Sequence, residues 1–142
     1  MNALEKALKI ALKAHNGQQD KAGQPYILHP LRVMHQVNSL PAKVVALLHD
    51  VVEDSEFTFE DLDRAGFDPE ILQAVRCLTK HPDEDYFAYL RRIAGNTLAL
   101  QVKIADLKDN LDVTRLPEIE LRDVERLNRY LKALSFLQQN SR

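Results

Sequence analysis

Apolar residues recur along this chain at intervals of three and four, from its first residues to its last. Leu4, Ala7, Leu8, Ala11 and Leu12 repeat at helical spacing, Lys6, Lys9 and Lys13 lie elsewhere around the turn, and Asn16-Gly17 is a stop signal. A polar loop over 18–28 follows, holding Gly23 and Pro25. Pro30 and Pro41 stand where a first helical position would be, which predicts helices over about 30–37 and 41–54. Shorter helices are expected near 58–65 and 69–80, and another over 85–94 after the break at His81-Pro82-Asp83. Asn96 or Thr97 can cap a helix running to about residue 112. Pro117 is read as opening the last helix, in which Leu121, Val124, Leu127, Leu131 and Leu134 make one apolar stripe. That stripe is short for a coiled coil, so core packing is the favoured reading and a homodimer contact the other. No segment alternates as a strand would. The pattern predicts an all-α fold, a compact bundle of about seven to eight helices.

Two helices carry polar groups inside apolar runs. In the segment 42–54, Val44, Val45, Ala46, Leu47, Leu48, Val51 and Val52 go nearly all the way round, which predicts a central helix. His49, Asp50, Glu53 and Asp54 interrupt it and, if the helix is continuous, share one patch. Carboxylates that close repel, and burying them costs several kcal/mol per ion unless something compensates, as a divalent cation would. The plainer alternative is an exposed helix end. In the segment 101–110, Lys103, Asp106 and Asn110 line one face of another buried helix, although Lys103 and Asp106 could equally be a surface pair. His29, directly before Pro30, is a third candidate. Two His and two Asp form a mixed nitrogen–oxygen set suited to Mn²⁺, Fe²⁺ or Zn²⁺.

Composition narrows the classes. The chain has 142 residues, enough for one domain over 1–142 and no second. Its net charge is −2 with the basic residues scattered, which argues against a nucleic-acid polymer but not against a small phosphorylated substrate. No apolar run approaches the roughly 20 residues of a membrane span. The start of the chain shows no secretory pattern and Cys77 is alone, both in keeping with a cytoplasmic protein. Cys77 is read as a packing residue, and His15, His35 and His81 as structural.

Taken together, these pieces resemble the HD-domain phosphohydrolases, whose name describes the pair seen here as His49-Asp50. More narrowly, the chain is similar to the hydrolase domain of the Rel/Spo alarmone enzymes and their small stand-alone relatives. The matching stretches are Ala14-His15-Asn16-Gly17-Gln18, then Lys21-Ala22-Gly23-Gln24-Pro25-Tyr26-Ile27-Leu28-His29-Pro30 and His49-Asp50-Val51-Val52-Glu53-Asp54. Leu78-Thr79-Lys80 and Val102-Lys103-Ile104-Ala105-Asp106 continue them, closing at Asn110. The resemblance implies an HD-domain helical bundle with His29, His49, Asp50 and Asp106 as ligands of a divalent metal, typically Mn²⁺. It implies that Glu53 and Asp54 orient and deprotonate the attacking water. Lys21, Tyr26 and Asn110 would belong to the nucleotide pocket, with Lys103 a candidate for holding phosphate oxygens beside Lys80, Arg91, Arg92 and Arg115. The reaction implied is removal of the 3′-pyrophosphate of guanosine tetra- or pentaphosphate.

Two positions depart from that family's pattern. Asp20 stands where the alarmone enzymes usually carry Arg, so restoring Arg there is expected to strengthen base binding. Leu107-Lys108-Asp109 replaces the usual Arg/Lys-Leu-His/Tyr. The competing functions are an HD-type nucleotide phosphatase of other specificity and a non-catalytic, metal-bound nucleotide sensor.

Overall fold

The computed structural model, which describes residues 1–141, contains nine α-helices and one 3-10 turn among those residues. In chain order the helices are α1 (Ala3–Ala14), α2 (Leu28–His35), α3 (Leu40–Leu48), α4 (Val51–Asp54) and α5 (Phe59–Arg64). They continue with α6 (Pro69–Leu78), α7 (Tyr86–Ala94), α8 (Thr97–Asn110) and α9 (Leu121–Gln139), with the 3-10 turn at Val113–Arg115. The fold is an all-helical bundle, as the periodicity predicts.

Helix α3 is the hub. Ala42, Val44, Val45, Ala46, Leu47 and Leu48 are all buried, and α1, α2, α6 and α8 pack around them. Fully burying a side chain of this size stabilises the fold by about 1.5–3 kcal/mol relative to exposure. Helix α8 is the second axis, lying against α2, α3, α6, α7 and α9 and burying Ala99, Leu100, Val102, Ala105 and Leu107. The two helices with polar interruptions are therefore neighbours at the centre of the bundle.

Three sequence expectations are corrected. The helix expected over 41–54 is broken: α3 ends at Leu48 and α4 begins at Val51. His49 Nδ1 lies 2.5 Å from the Ala46 carbonyl, the acceptor that the Asp50 N–H would reach in an unbroken helix. The side chain thus competes with the backbone at the turn where the path changes. The last helix starts at Leu121 rather than at Pro117, because Glu120 is extended and forms a reciprocal capping box with Asp123. Its expected core stripe is also wrong in phase. Leu121 is 91% exposed, and Val124 and Leu131 are exposed too, while Ala133 and Leu137 are buried and Tyr130, Leu134 and Phe136 pack against the core. Cys77 packs at the edge of the core as expected.

Arg92 ties α6 to α7. It donates to both carboxylate oxygens of Glu84, at 2.9 and 2.7 Å, and to the carbonyls of Arg76, Cys77 and Thr79 at the end of α6. This occupies a guanidinium that the sequence offered for phosphate.

Candidate metal centre and adjoining cavity

The α3–α4 break, the start of α2 and the middle of α8 bring four side chains to one point. Ligand atoms of His29, His49, Asp50 and Asp106 all lie within 4.8 Å of one another. His29 Nε2 is 2.8 Å from Asp106 Oδ1 and 3.8 Å from Asp50 Oδ2, and His49 Nε2 is 3.0 Å from Asp50 Oδ2 and 3.3 Å from Asp106 Oδ1.

The donor set fits a divalent cation. With the His49 Nδ1 proton directed at Ala46, the Nε2 of a neutral ring carries a lone pair. That Nε2 is buried without a satisfactory hydrogen-bond partner among the described residues, although two carboxylate oxygens face it. A lone pair turned on anionic oxygens is repulsive unless a second proton or a metal ion lies between them. Two imidazoles and two carboxylates are also the ligand chemistry that borderline divalent ions accept.

The surrounding charges are mutually adjusted. Burial by itself would raise the Asp106 carboxyl, but Lys103 and the two imidazoles hold it well below the usual range. Burial also opposes ionisation of His29, yet its bonds to Asp106 and Asp109 lift its pKa to about 9. Asp50 is brought to about 2, chiefly by His49 acting against the effect of burial. Lys103 is largely buried: its ammonium bonds Asp106 Oδ2 at 2.9 Å and lies over the Tyr89 ring. Tyr26 donates to Asp50 Oδ2 at 2.5 Å, and Asn110 Nδ2 donates to Asp106 Oδ1 at 3.2 Å. These three side chains therefore meet the centre itself.

Glu53 and Asp54 occupy different places. Asp54 lines the cavity beside the centre. Glu53 Oε1 accepts the Lys80 backbone N–H at 2.5 Å, tying α4 to the end of α6. Partial burial and the neighbouring Asp50 raise both carboxyls, with the Lys80 N–H partly opposing the rise at Glu53. The stretch beginning at Ala14 serves this corner as well. Gln18 donates to the Asp54 carbonyl at 2.7 Å and accepts from His15, whose ring packs on Tyr26.

The cavity measures about 620 Å³ and has the centre on one wall. Lys21, Arg32, Arg115 and Arg126 line it together with Asp20, Asp54 and Asp112, and Tyr130 supplies an aromatic surface. Lys21 is depressed by burial and by Arg126, Arg122 and Arg129 of α9. Sequence reasoning named Lys21 and Arg115 but missed Arg32, Arg126, Tyr130 and Asp109. Arg32 and Asp109 each lie three residues beyond a ligand on its helix, a spacing that could have found them. Nothing in the sequence pointed Arg126 and Tyr130 towards the centre.

Asp20 has a role of its own. Its Oδ1 accepts from the backbone N–H groups of Ala22 and Gln24, both at 2.9 Å, closing the loop that carries Lys21. The bridge between Gln19 and Pro25 fixes the base of that loop. This bond pair sets a loop role against the expectation that Arg at position 20 strengthens base binding. Asp20→Asn, which keeps the acceptor oxygen, should leave KM near the parent value. Asp20→Arg removes two loop bonds, each worth about 0.5–1.5 kcal/mol, and should raise KM. Steady-state kinetics on the two variants decides between the loop role and the base-binding role.

Metal-free protein should show a specific pH response. His29, at about 9 in the fold against an ordinary 6.5, contributes stability that is fully present below about 6.5 and is lost as pH rises towards 9. Asp109, at about 2 against 3.8, contributes stability present above about 3.8 and lost as pH falls towards 2. The Tm of chelator-treated protein should therefore peak between roughly pH 4 and 6.5. Added Mn²⁺ should raise Tm more at about pH 8.5 than at about pH 6, because fewer protons then compete for the imidazoles. A Tm indifferent to chelator at both pH values would remove the metal from this account.

No protein-family model matches the chain. A GTP pyrophosphokinase of Streptomyces coelicolor is 44% identical over 68 residues, covering 45% of this chain and 8% of that protein. A guanosine-3′,5′-bis(diphosphate) 3′-pyrophosphohydrolase of Aquifex aeolicus is 28% identical over 120 residues, 76% of this chain and 17% of that protein. The GTP pyrophosphokinase rsh of Brucella ovis is 34% identical over 125 residues, 76% of this chain and 16% of that protein. The chain thus spans less than a fifth of the length of these curated relatives. A solved structure described as a metazoan ortholog of SpoT that hydrolyses ppGpp superposes with a TM-score of 0.77 at 26% identity, over 100% of this chain and 86% of that one. The fold is that of an HD-type helical bundle. In sequence and in fold, the chain resembles the hydrolase domain of the Rel/Spo enzymes.

Proposed function

We propose that this chain acts as a single-domain, metal-dependent nucleotide pyrophosphohydrolase, removing the 3′-pyrophosphate of guanosine tetra- or pentaphosphate or a related nucleotide. The observation that carries this reading is the convergence of four candidate ligand atoms within 4.8 Å on the wall of a cavity that also holds Asp54, Lys21, Arg115 and Arg126. The net reaction adds water across the bond between the 3′ oxygen and its phosphorus, giving pyrophosphate and a 3′-hydroxyl.

His29, His49, Asp50 and Asp106 would hold a divalent ion, Mn²⁺ in this proposal. When bound, such an ion lowers the pKa of a water and polarises a phosphoryl oxygen. In this proposal Asp54, at the cavity edge with its pKa raised, takes the proton of the attacking water, and Glu53, whose Oε1 accepts the Lys80 N–H, orients that water with its other oxygen. Lys21 offers charge to the phosphates, joined by the donors of Arg115 and Arg126 that their pairs with Asp112 and Asp123 leave over, and Tyr130 offers a face for the base. Tyr26, Lys103 and Asn110, assigned to the substrate from sequence, are better read as supports for the ligands Asp50 and Asp106, with a wall of the pocket as a second duty. Among the described residues no helix is long and apolar enough to cross a membrane. The proposal adds a cytoplasmic location and self-association through the exposed face of α9.

The test is product analysis. Incubated with guanosine tetraphosphate and Mn²⁺, the protein should release pyrophosphate and guanosine diphosphate, separated by ion-exchange chromatography. Orthophosphate as the product would move the reading to a nucleotide phosphatase. Nucleotide binding without any product would move it to a sensor.

A further inference from the structure

Asp109 is a carboxylate only 4% exposed, and it lies outside the four-ligand cluster. Its Oδ2 is 2.6 Å from His29 Nδ1, on the side of the ring opposite Asp106. Arg32 grips the same carboxylate with two bonds, Nε to Oδ1 at 2.8 Å and a terminal nitrogen to Oδ2 at 3.1 Å. Arg115 donates to the Asp109 carbonyl at 2.8 Å and lies 3.6 Å from Oδ1.

We propose that Asp109 is a positioning residue for the metal centre: it holds the Nδ1 proton of His29 so that Nε2 presents its lone pair to the ion. This inference rests on the metal reading given above. An imidazole has two nitrogens, and only Nε2 of His29 faces Asp50 and Asp106. A carboxylate at Nδ1 selects the tautomer in which Nε2 is unprotonated, fixes the ring plane and makes the ligand more basic. His49 solves the same problem with a neutral acceptor, the Ala46 carbonyl. The two histidines are thus oriented by partners of different charge. Arg32 makes the charged partner tolerable, since a buried carboxylate three residues from Asp106 would otherwise add to the repulsion that the ion must overcome.

A purely structural role, an ion pair joining α2 to α8, gives different results. It predicts that Asp109→Ala and Arg32→Ala both lower Tm and leave metal affinity alone. Positioning predicts that Asp109→Ala weakens Mn²⁺ binding about 10–100-fold, and Arg32→Ala weakens it less. Affinity would be read from the electron paramagnetic resonance signal of unbound Mn²⁺ during titration of the full chain. A second readout is the His29 Nδ1–H resonance in ¹⁵N-histidine-labelled protein loaded with diamagnetic Zn²⁺. It should be visible in the parent and lost to solvent exchange in Asp109→Ala. If Asp109→Ala does not fold, Asp109→Asn, which retains an acceptor oxygen without charge, should keep the resonance and still lose affinity by about tenfold. A folded Asp109 variant binding Mn²⁺ within about twofold of the parent overturns the inference. A parent that binds no Mn²⁺ overturns the metal reading and this inference with it.

Discussion

Asp54→Asn should lower kcat for pyrophosphate release about 10²–10⁴-fold while leaving Mn²⁺ loading intact, the usual loss when an acid–base group is removed. Asp54 lines the cavity but lies outside the four-ligand cluster, so its removal should not empty the centre. Its carboxyl is raised by partial burial and by Asp50, which makes it a better base than an ordinary aspartate. Asn keeps the shape and cannot take the proton. Glu53→Gln is the informative companion, because the Glu53 carboxylate accepts the Lys80 N–H and so shapes the junction of α4 with α6. Gln retains an acceptor for that bond, so a loss of kcat in Glu53→Gln with unchanged Tm would report a chemical role rather than a structural one. Parental turnover in Asp54→Asn, with metal retained, would assign the base elsewhere.

Three of the four candidate ligands, His49, Asp50 and Asp106, were legible because they break the pattern around them. His49-Asp50 interrupts an apolar run and Asp106 interrupts another, and burial makes such interruptions costly enough to signal a purpose. What the pattern could not give was the shape of the interruption. The sequence treated 41–54 as one helix, whereas the His49 ring bonds the Ala46 carbonyl and the chain turns there. Side chains that compete for backbone bonds leave no mark in hydrophobic periodicity. Helix α9 shows the complementary failure. Five apolar residues at helical spacing suggested a core face, but the buried face passes through Ala133 and Leu137, so periodicity alone did not fix its phase. Arg126 and Tyr130 were missed for a related reason: which face of α9 meets the cavity is set by its docking on α7 and α8, a long-range property. Asp20 illustrates a third limit. Its departure from the family pattern looked like a missing base contact, but the side chain is spent on its own loop.

Asp106→Ala should have the largest effect on stability as well as on metal binding, because Asp106 is where the charges of the centre meet. Its carboxylate is bonded by His29 and Lys103 at 2.8 and 2.9 Å and accepts from Asn110 at 3.2 Å. Loss of this ligand should empty the metal site. It also strands the Lys103 ammonium, whose side chain is only 13% exposed and whose charge is held by Asp106 more than by any other group. Breaking a buried pair by removing one partner costs about 3–5 kcal/mol, a large share of the roughly 5–15 kcal/mol that keeps a domain folded. The comparison is made on chelator-treated proteins, so that lost metal binding does not enter the difference. Urea unfolding of parent and variant then measures, apart from metal, the stranded Lys103 charge together with the lost bonds to His29 and Asn110. Replacing both partners, as Asp106→Leu with Lys103→Met, should recover the part of the lost stability that belongs to the Lys103 pair, since apolar side chains there leave no stranded ammonium. The double variant should remain unable to bind Mn²⁺. Stability returning without the metal would separate the two duties of Asp106, whereas equal stability of parent and Asp106→Ala would mean that Lys103 finds water or another partner once Asp106 is gone.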